Sequence, residues 1–187
     1  MNKEFLSMLN IKDESELDAV DWDYISSRQT LSEPFIREFS DRVDWSNISS
    51  NQTLSEEFRM EFHCPLPANS WLNLGVEDKR EKIEACGLYE VDGDCVIAYK
   101  STLKGGRSVF KPGIRYEVGG IYDAKCDFNS DVQDSFGLSA WTSSGAKDYC
   151  GIGDLYEVRV RIEDVGALVH GGNKLRCKRI EVVRKID

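Results

Sequence analysis

Val20-Asp21-Trp22-Asp23-Tyr24-Ile25-Ser26-Ser27-Arg28-Gln29-Thr30-Leu31-Ser32-Glu33 is followed, twenty-three residues on, by Val43-Asp44-Trp45-Ser46-Asn47-Ile48-Ser49-Ser50-Asn51-Gln52-Thr53-Leu54-Ser55-Glu56. The register runs on, because Phe35 and Phe39 of the first copy become Phe58 and Phe62 of the second. Such a repeat is one structural unit used twice, each copy burying its apolar face against its neighbour. The two copies, 20–42 and 43–65, read as short helices. Leu31-Ser32-Glu33 opens a helix in which Phe35, Ile36 and Phe39 fall at i, i+1 and i+4, with Pro34 in the first turn, where a helix tolerates proline. Asp21-Trp22 and Asp44-Trp45 begin the preceding turn, with Ser26 or Ser27 as a cap. Trp22, Trp45, Phe39 and Phe62 are expected in the core, the indoles packing onto the phenylalanines of a neighbouring unit. Residues 3–19 read as an N-terminal cap helix burying Phe5, Leu6, Leu9 and Leu17.

The two prolines of Pro65-Leu66-Pro67-Ala68-Asn69-Ser70 stop the repeat region. A short helix, Asp78–Cys86, is then ended by Gly87. From Leu88 the pattern changes to strands: Val96–Lys100, Tyr116–Val118, Leu155–Ile162 and Arg179–Ile186. The third alternates apolar and charged residues over eight positions, the mark of a half-buried strand. Turns are expected at Gly105-Gly106, Pro112-Gly113, Gly119-Gly120 and Gly171-Gly172, and a helix around Ser144–Tyr149. The fold class is therefore α+β. Helical repeats occupy 1–66, a linker and short helix 67–87, and a small β-rich domain 88–187.

With 187 residues, 41% hydrophobic and 30% charged, the chain has the composition of a soluble globular protein. No apolar run approaches the ~20 residues of a membrane span. The start, Met1-Asn2-Lys3-Glu4-Phe5-Leu6, lacks a basic segment and a long apolar stretch, so a cytoplasmic location is expected. Six irregularly spaced cysteines without an export signal read as reduced thiols. His63-Cys64 has no second pair at finger spacing, so no zinc is expected. The net charge of −9 argues against general nucleic-acid affinity, but it is unevenly placed. Residues 1–75 hold 6 basic and 14 acidic side chains, whereas Arg159–Asp187 holds 8 basic against 4 acidic. An acidic front and a basic tail fit a protein that binds by charge complementarity.

The unit Trp-x-x-Ile-Ser-x-x-Gln-x-Leu-Ser-Glu-x-Phe, at Trp22–Phe35 and Trp45–Phe58, resembles a repeat of bacteriophage, giant-virus and mobile-element proteins. The C-terminal part resembles a small uncharacterised domain of phage and plasmid proteins, through Tyr99-Lys100, Tyr116-Glu117-Val118-Gly119 and Phe136-Gly137-Leu138-Ser139-Ala140-Trp141. The resemblance implies an accessory protein acting in the cytoplasm of a host bacterium. The partner it implies is a host defence protein, with an anti-CRISPR inhibitor of an RNA-guided nuclease, or of its guide RNA, as the leading expectation. No cofactor is needed for that role.

The strand order is also similar to a degenerate ADP-ribosyltransferase fold, which implies an enzyme using NAD. Lys100 then stands where the family has Arg or His, Ser139 lies on the strand shaping the nicotinamide pocket, and Glu181 is the catalytic acid. No Glu-x-Glu or Gln-x-Glu pair precedes the last strand. A further reading is a non-enzymatic phage interaction module. Ser139 with His170 has no nucleophile elbow around it, and Gly171-Gly172-Asn173 reads as a hairpin turn because no helix follows.

For binding, Arg159 and Arg161 share one face of a strand. Lys174, Arg176, Lys178 and Arg179 are candidates to extend that face, with Tyr156 or Trp141 available to stack a base beside RNA phosphates. The acidic half offers the opposite route, occupying the place of phosphates in the basic channel of a nucleic-acid enzyme.

Overall fold

The computed structural model describes residues 3–111 and 113–186; Pro112, half of one expected turn, lies outside them. The chain is α+β and divides into two compact units, Met1–Pro67 and Ala68–Asp187. Among the described residues no helix is long and apolar enough to cross a membrane.

The first unit holds α1 (Lys3–Leu9), a 3-10 helix (Glu14–Ala19), α2 (Trp22–Arg28), α3 (Glu33–Glu38), α4 (Trp45–Asn51) and α5 (Glu56–Glu61). Each repeat is a pair of helices with its own caps. Asp21, Ser32, Asp44 and Ser55 accept from the amides of Tyr24, Phe35, Asn47 and Phe58, in each case three residues on. A short oxygen-bearing side chain there satisfies an amide that the helix leaves without a partner. Asp21, not Ser26 or Ser27, is therefore the cap of the first turn. Both serines lie inside α2, and Ser26 is buried, its hydroxyl accepting from the Asp44 amide at 3.0 Å.

The indoles pack within their own copies rather than on a neighbour. Trp22 sits 5.1 Å from Phe39, and Trp45 sits 5.1 Å from Phe62. Their Nε1 groups donate to the carbonyls of Leu17 and Ser40, again twenty-three residues apart. What differs between copies is the outer cover. Phe5 of α1 packs on Phe35 and Phe39 at 5.2 and 6.1 Å, whereas the Arg37 guanidinium lies over Phe58 and Phe62 at 4.9 and 5.4 Å. Arg37 also pairs with Glu61. Phe35, Ile36, Ile48 and Phe58 form the centre of this unit and are wholly buried. Gln52, 1% exposed, joins the copies. Its Oε1 accepts from the Leu31 amide at 3.1 Å, and its Nε2 donates to the carbonyls of Ser26 and Gln29, both at 2.8 Å.

The second unit begins before the strands. Trp71 is buried and donates its amide to the Phe128 carbonyl, and Ile83 of α6 (Val76–Cys86) is in the same core. The segment expected as a linker is thus part of this unit from residue 68 onward. Helix α6 ends at Gly87, in the left-handed conformation with φ of 68°, where a side chain would be strained. Eight strands follow among the described residues: β1 (Glu90–Asp92), β2 (Cys95–Thr102), β3 (Ile121–Asp123), β4 (Leu138–Trp141), β5 (Asp154–Arg161), β6 (Val165–Val169), β7 (Lys174–Cys177) and β8 (Arg179–Ile186), with α7 (Ser143–Tyr149) between β4 and β5. They form one antiparallel sheet in the order β3-β8-β5-β2-β4-β7-β6, with β1 also on β2. Tyr116–Val118 is not a strand. A turn at Gly119-Gly120 intervenes, with Gly119 at φ of 83°, and pairing with β8 starts at Ile121. His170–Asn173 makes the expected tight turn, joining β6 to β7.

Candidate functional site

Arg159 and Arg161 stand on the solvent face of β5, as their spacing requires. Both are already paired. Arg159 meets Asp92 at 3.0 Å, and Arg161 meets Asp94 at 3.0 Å and Glu163 at 2.9 Å. The same holds along the neighbouring strand, where Arg179 pairs with Asp123, Arg184 with Glu157 and Lys185 with Asp154. Lys178 is exposed and lies 4.9 Å over the Phe128 ring.

The other basic candidates do not extend this face. Lys174 and Arg176 are on β7, separated from β5 by β2 and β4. Arg176 is wholly buried, paired with Asp127 and donating to the carbonyls of Asp127, Asn129, Val132 and Gln133. It organises the loop before β4 instead of meeting a ligand. Lys174 is buried as well, 2.8 Å from Asp134 and 5.4 Å from the Trp141 ring. Asp134 also meets His170 Nε2 at 3.0 Å, and hydrogen bonds from Lys174 and His170 hold its carboxyl down at about 2. Tyr156 is 6% exposed and cannot stack a base. Trp141 is half-buried and already stacks on Tyr149 at 4.8 Å. A continuous basic stripe flanked by free aromatics is therefore not formed.

The three residues of the enzyme reading separate in a definite way. Lys100 lies opposite Tyr156 and shares its face of the sheet. Glu181 lies opposite Arg159, on the other face, and β5 stands between its strand and β2. Lys100 and Ser139 do come together, through the Ser139 backbone. Strands β2 and β4 pair only at Tyr99 and Trp141, then diverge. This leaves the Ser139 carbonyl without a strand partner across the gap, and Lys100 Nζ fills the place, donating to it at 2.7 Å. The ammonium also lies 4.9 Å over the Tyr116 ring. Burial lowers the lysine to about 8, outweighing the opposing effect of Cys177, and the like charge of Lys174 acts in the same direction as burial. No carboxylate pairs with Lys100 among the described residues.

The fork opens into a pocket of about 70 Å³, lined by Lys100, Ser139, Tyr116 and Trp141 together with residues of the 108–111 loop and α7. Sequence reading paired Lys100 with Ser139 but missed Phe110 and Lys111 at its rim, since nothing local marks a loop that approaches from elsewhere. No group of three or more metal-ligating side chains occurs among the described residues. The six cysteines are free. Burial pushes the thiol of Cys126 up to about 12 and that of Cys177 well above its ordinary value, so neither is a ready nucleophile.

The acidic half has the opposite character. The first 67 residues carry 6 basic and 14 acidic side chains, 6 − 14 = −8 of the total of −9. Of the basic ones, Arg37 and Arg42 are held by Glu61 and Asp18, and Arg59 is turned onto the carbonyls of Ser49, Gln52 and Cys64. Glu38, Glu56 and Glu57 are exposed and form no ion pair with another side chain among the described residues. They lie on α3 and α5, which Arg37–Glu61 and the bond from the Ser55 amide to Glu33 hold side by side. No known family model, curated protein or solved structure matches the chain.

Proposed function

We propose that this protein is an inhibitor of a host defence enzyme that handles nucleic acid, an RNA-guided nuclease in the first instance, and that its acidic repeat unit is the contact surface. The observation that carries this reading is the concentration of nearly all the net charge on 67 residues, on carboxylates left unneutralised at the surface. A rigid array of carboxylates docks where phosphates would, because the basic channel of such an enzyme attracts either. The basic residues of the second unit support the same choice, since each of Arg159, Arg161, Arg179, Arg184 and Lys185 has an acidic partner. The transferase reading has Lys100 and Ser139 adjacent but Glu181 on the opposite face, which leaves it without its acid.

The test is a DNA-cleavage assay with a purified RNA-guided nuclease, this protein being added before and after guide loading and the guide then run on a denaturing gel. The expected result is loss of cleavage with an intact guide. Replacing Glu38, Glu56 and Glu57 together by lysine should weaken inhibition about tenfold or more, since like charge then faces like. Arg159→Ala with Arg161→Ala should leave it unchanged. A shortened guide would mean RNA cleavage instead of occlusion, and full cleavage across several nuclease types would end the proposal.

A further inference from the structure

The pocket at the β2–β4 fork lies in the second unit and belongs to no part of the docking argument. Its lining includes Lys100, Phe110, Lys111, Tyr116, Ser139 and Trp141. Two ammonium groups, three serine hydroxyls and four aromatic rings, two of them phenols, meet there without one carboxylate. That is unexpected in a chain where acids outnumber bases by 33 to 24 and where nearly every other basic residue of the sheet has an acidic partner. An ammonium has three protons to donate. Lys100 donates one to the Ser139 carbonyl, with a ring face beside it, and Lys111 at the exposed rim forms no ion pair among the described residues. Phe110 is 80% exposed, a large apolar ring held at the mouth with the Tyr149 ring 6.1 Å away. Exposed aromatic surface beside a concave charged site is the usual make-up of a ligand pocket.

We propose that this fork binds a small molecule with an anionic oxygen head, a carboxylate or phosphate, on a planar apolar body. The head sits against Lys100, with Lys111 closing on it from the rim and Phe110 and Trp141 flanking the body. The volume sets the size. At about 10–15 Å³ for each water-sized occupant, a free volume of about 70 Å³ takes roughly five non-hydrogen atoms, a phosphate group or a carboxylate with the edge of its ring. Anything larger must project past Phe110. Ser108 is engaged with the Tyr116 hydroxyl and the Lys111 amide, and Ser101 with the Ala146 carbonyl, so specificity rests on the two lysines and the rings.

The experiment is calorimetric titration of the full chain at pH 7 with four probes: inorganic phosphate, acetate, phenyl phosphate and benzoate. Saturable binding of phenyl phosphate or benzoate is expected, each at least about tenfold tighter than its counterpart without the ring. Phosphate and carboxylate heads are told apart by which pair binds. Lys100→Met should weaken binding by about tenfold or more, as expected for losing a charge-assisted hydrogen bond. Because Lys100 also holds the fork, two rim variants carry the test without touching the core: Lys111→Glu, expected to weaken binding severalfold, and Phe110→Ala, expected to remove the advantage of the ring. The proposal is overturned if none of the four probes binds saturably at millimolar concentration. It is equally overturned if binding is indifferent to both rim variants. Neither result bears on nuclease inhibition by the first unit.

Discussion

Gln52 shows how one side chain can make two sequence copies into one body. It stands in the second copy where Gln29 stands in the first, and it bonds the Leu31 amide and the carbonyls of Ser26 and Gln29. Those groups lie at the ends of the first copy's helices, where backbone partners run out. Gln52→Ala should therefore cost about 3 kcal/mol, because a buried amide and two carbonyls lose their partner at once. Urea unfolding followed by circular dichroism would measure it; a loss under about 1 kcal/mol would mean that water replaces the amide. Lys100 makes a second residue-scale prediction. Its folded-state value of about 8 lies below that of a free lysine, so it is charged at pH 7 and neutral by pH 10. The charged groups around it are Lys174 within the sheet and Lys111 at the rim, while the Cys177 thiol, pushed well up by burial, and Tyr116, raised to about 12, stay neutral. Benzoate keeps its charge across this range. Its affinity should be flat below about pH 8 and fall as the pH rises through that value. A profile flat to pH 10 would show that Lys100 is not the group holding the anion.

At the scale of elements, β7 is the strand that sequence patterning is least able to find. Lys174-Leu175-Arg176-Cys177 alternates basic and apolar residues and reads as half-exposed, yet all four are buried. The two basic side chains are covered by the loop that runs from Cys126 to Gly137. Arg176 takes four of that loop's carbonyls and Asp127, and Lys174 takes Asp134. Arg176→Ala should destabilise the second unit by about 3–5 kcal/mol, because it leaves the Asp127 carboxylate buried and unpaired. Arg176→Lys should restore little of this, since an ammonium cannot span the same set of acceptors as a planar fork. Thermal unfolding of the three proteins would show it, and a melting point unchanged in Arg176→Ala would mean that the loop is ordered by other contacts. Strand β8, by contrast, was legible to the residue. Arg179–Ile186 alternates over a surface whose outer face is wet, and only the extra residue between Val182 and Arg184 breaks its pairing with β5.

Over the whole molecule the two units carry two different electrical characters. The first is acidic by eight charges, while the remainder, with 24 − 6 = 18 basic and 33 − 14 = 19 acidic residues, is close to neutral. Affinity for a basic partner should accordingly fall with ionic strength, as the screening length shrinks from about 10 Å at 0.1 M to about 3 Å at 1 M salt. Inhibition that is insensitive to salt would transfer the contact to apolar surface. The sequence by itself determined the α+β class, the pair of repeats with their phenylalanine registers, the helix ended by Gly87, the long strands β5 and β8, and the location of the net charge. These rest on periodicity, turn chemistry and composition, which are local. Tertiary structure alone decided that Trp22 and Trp45 pack inside their own copies, that Arg159 and Arg161 are neutralised by Asp92 and Asp94 from sixty-seven residues earlier in the chain, and that Arg176 is core. It alone placed Lys100 beside Ser139 and parted both from Glu181. The reason is that a charge is free or spent, and a side chain buried or exposed, according to what the rest of the chain brings against it, and that is set by strand order.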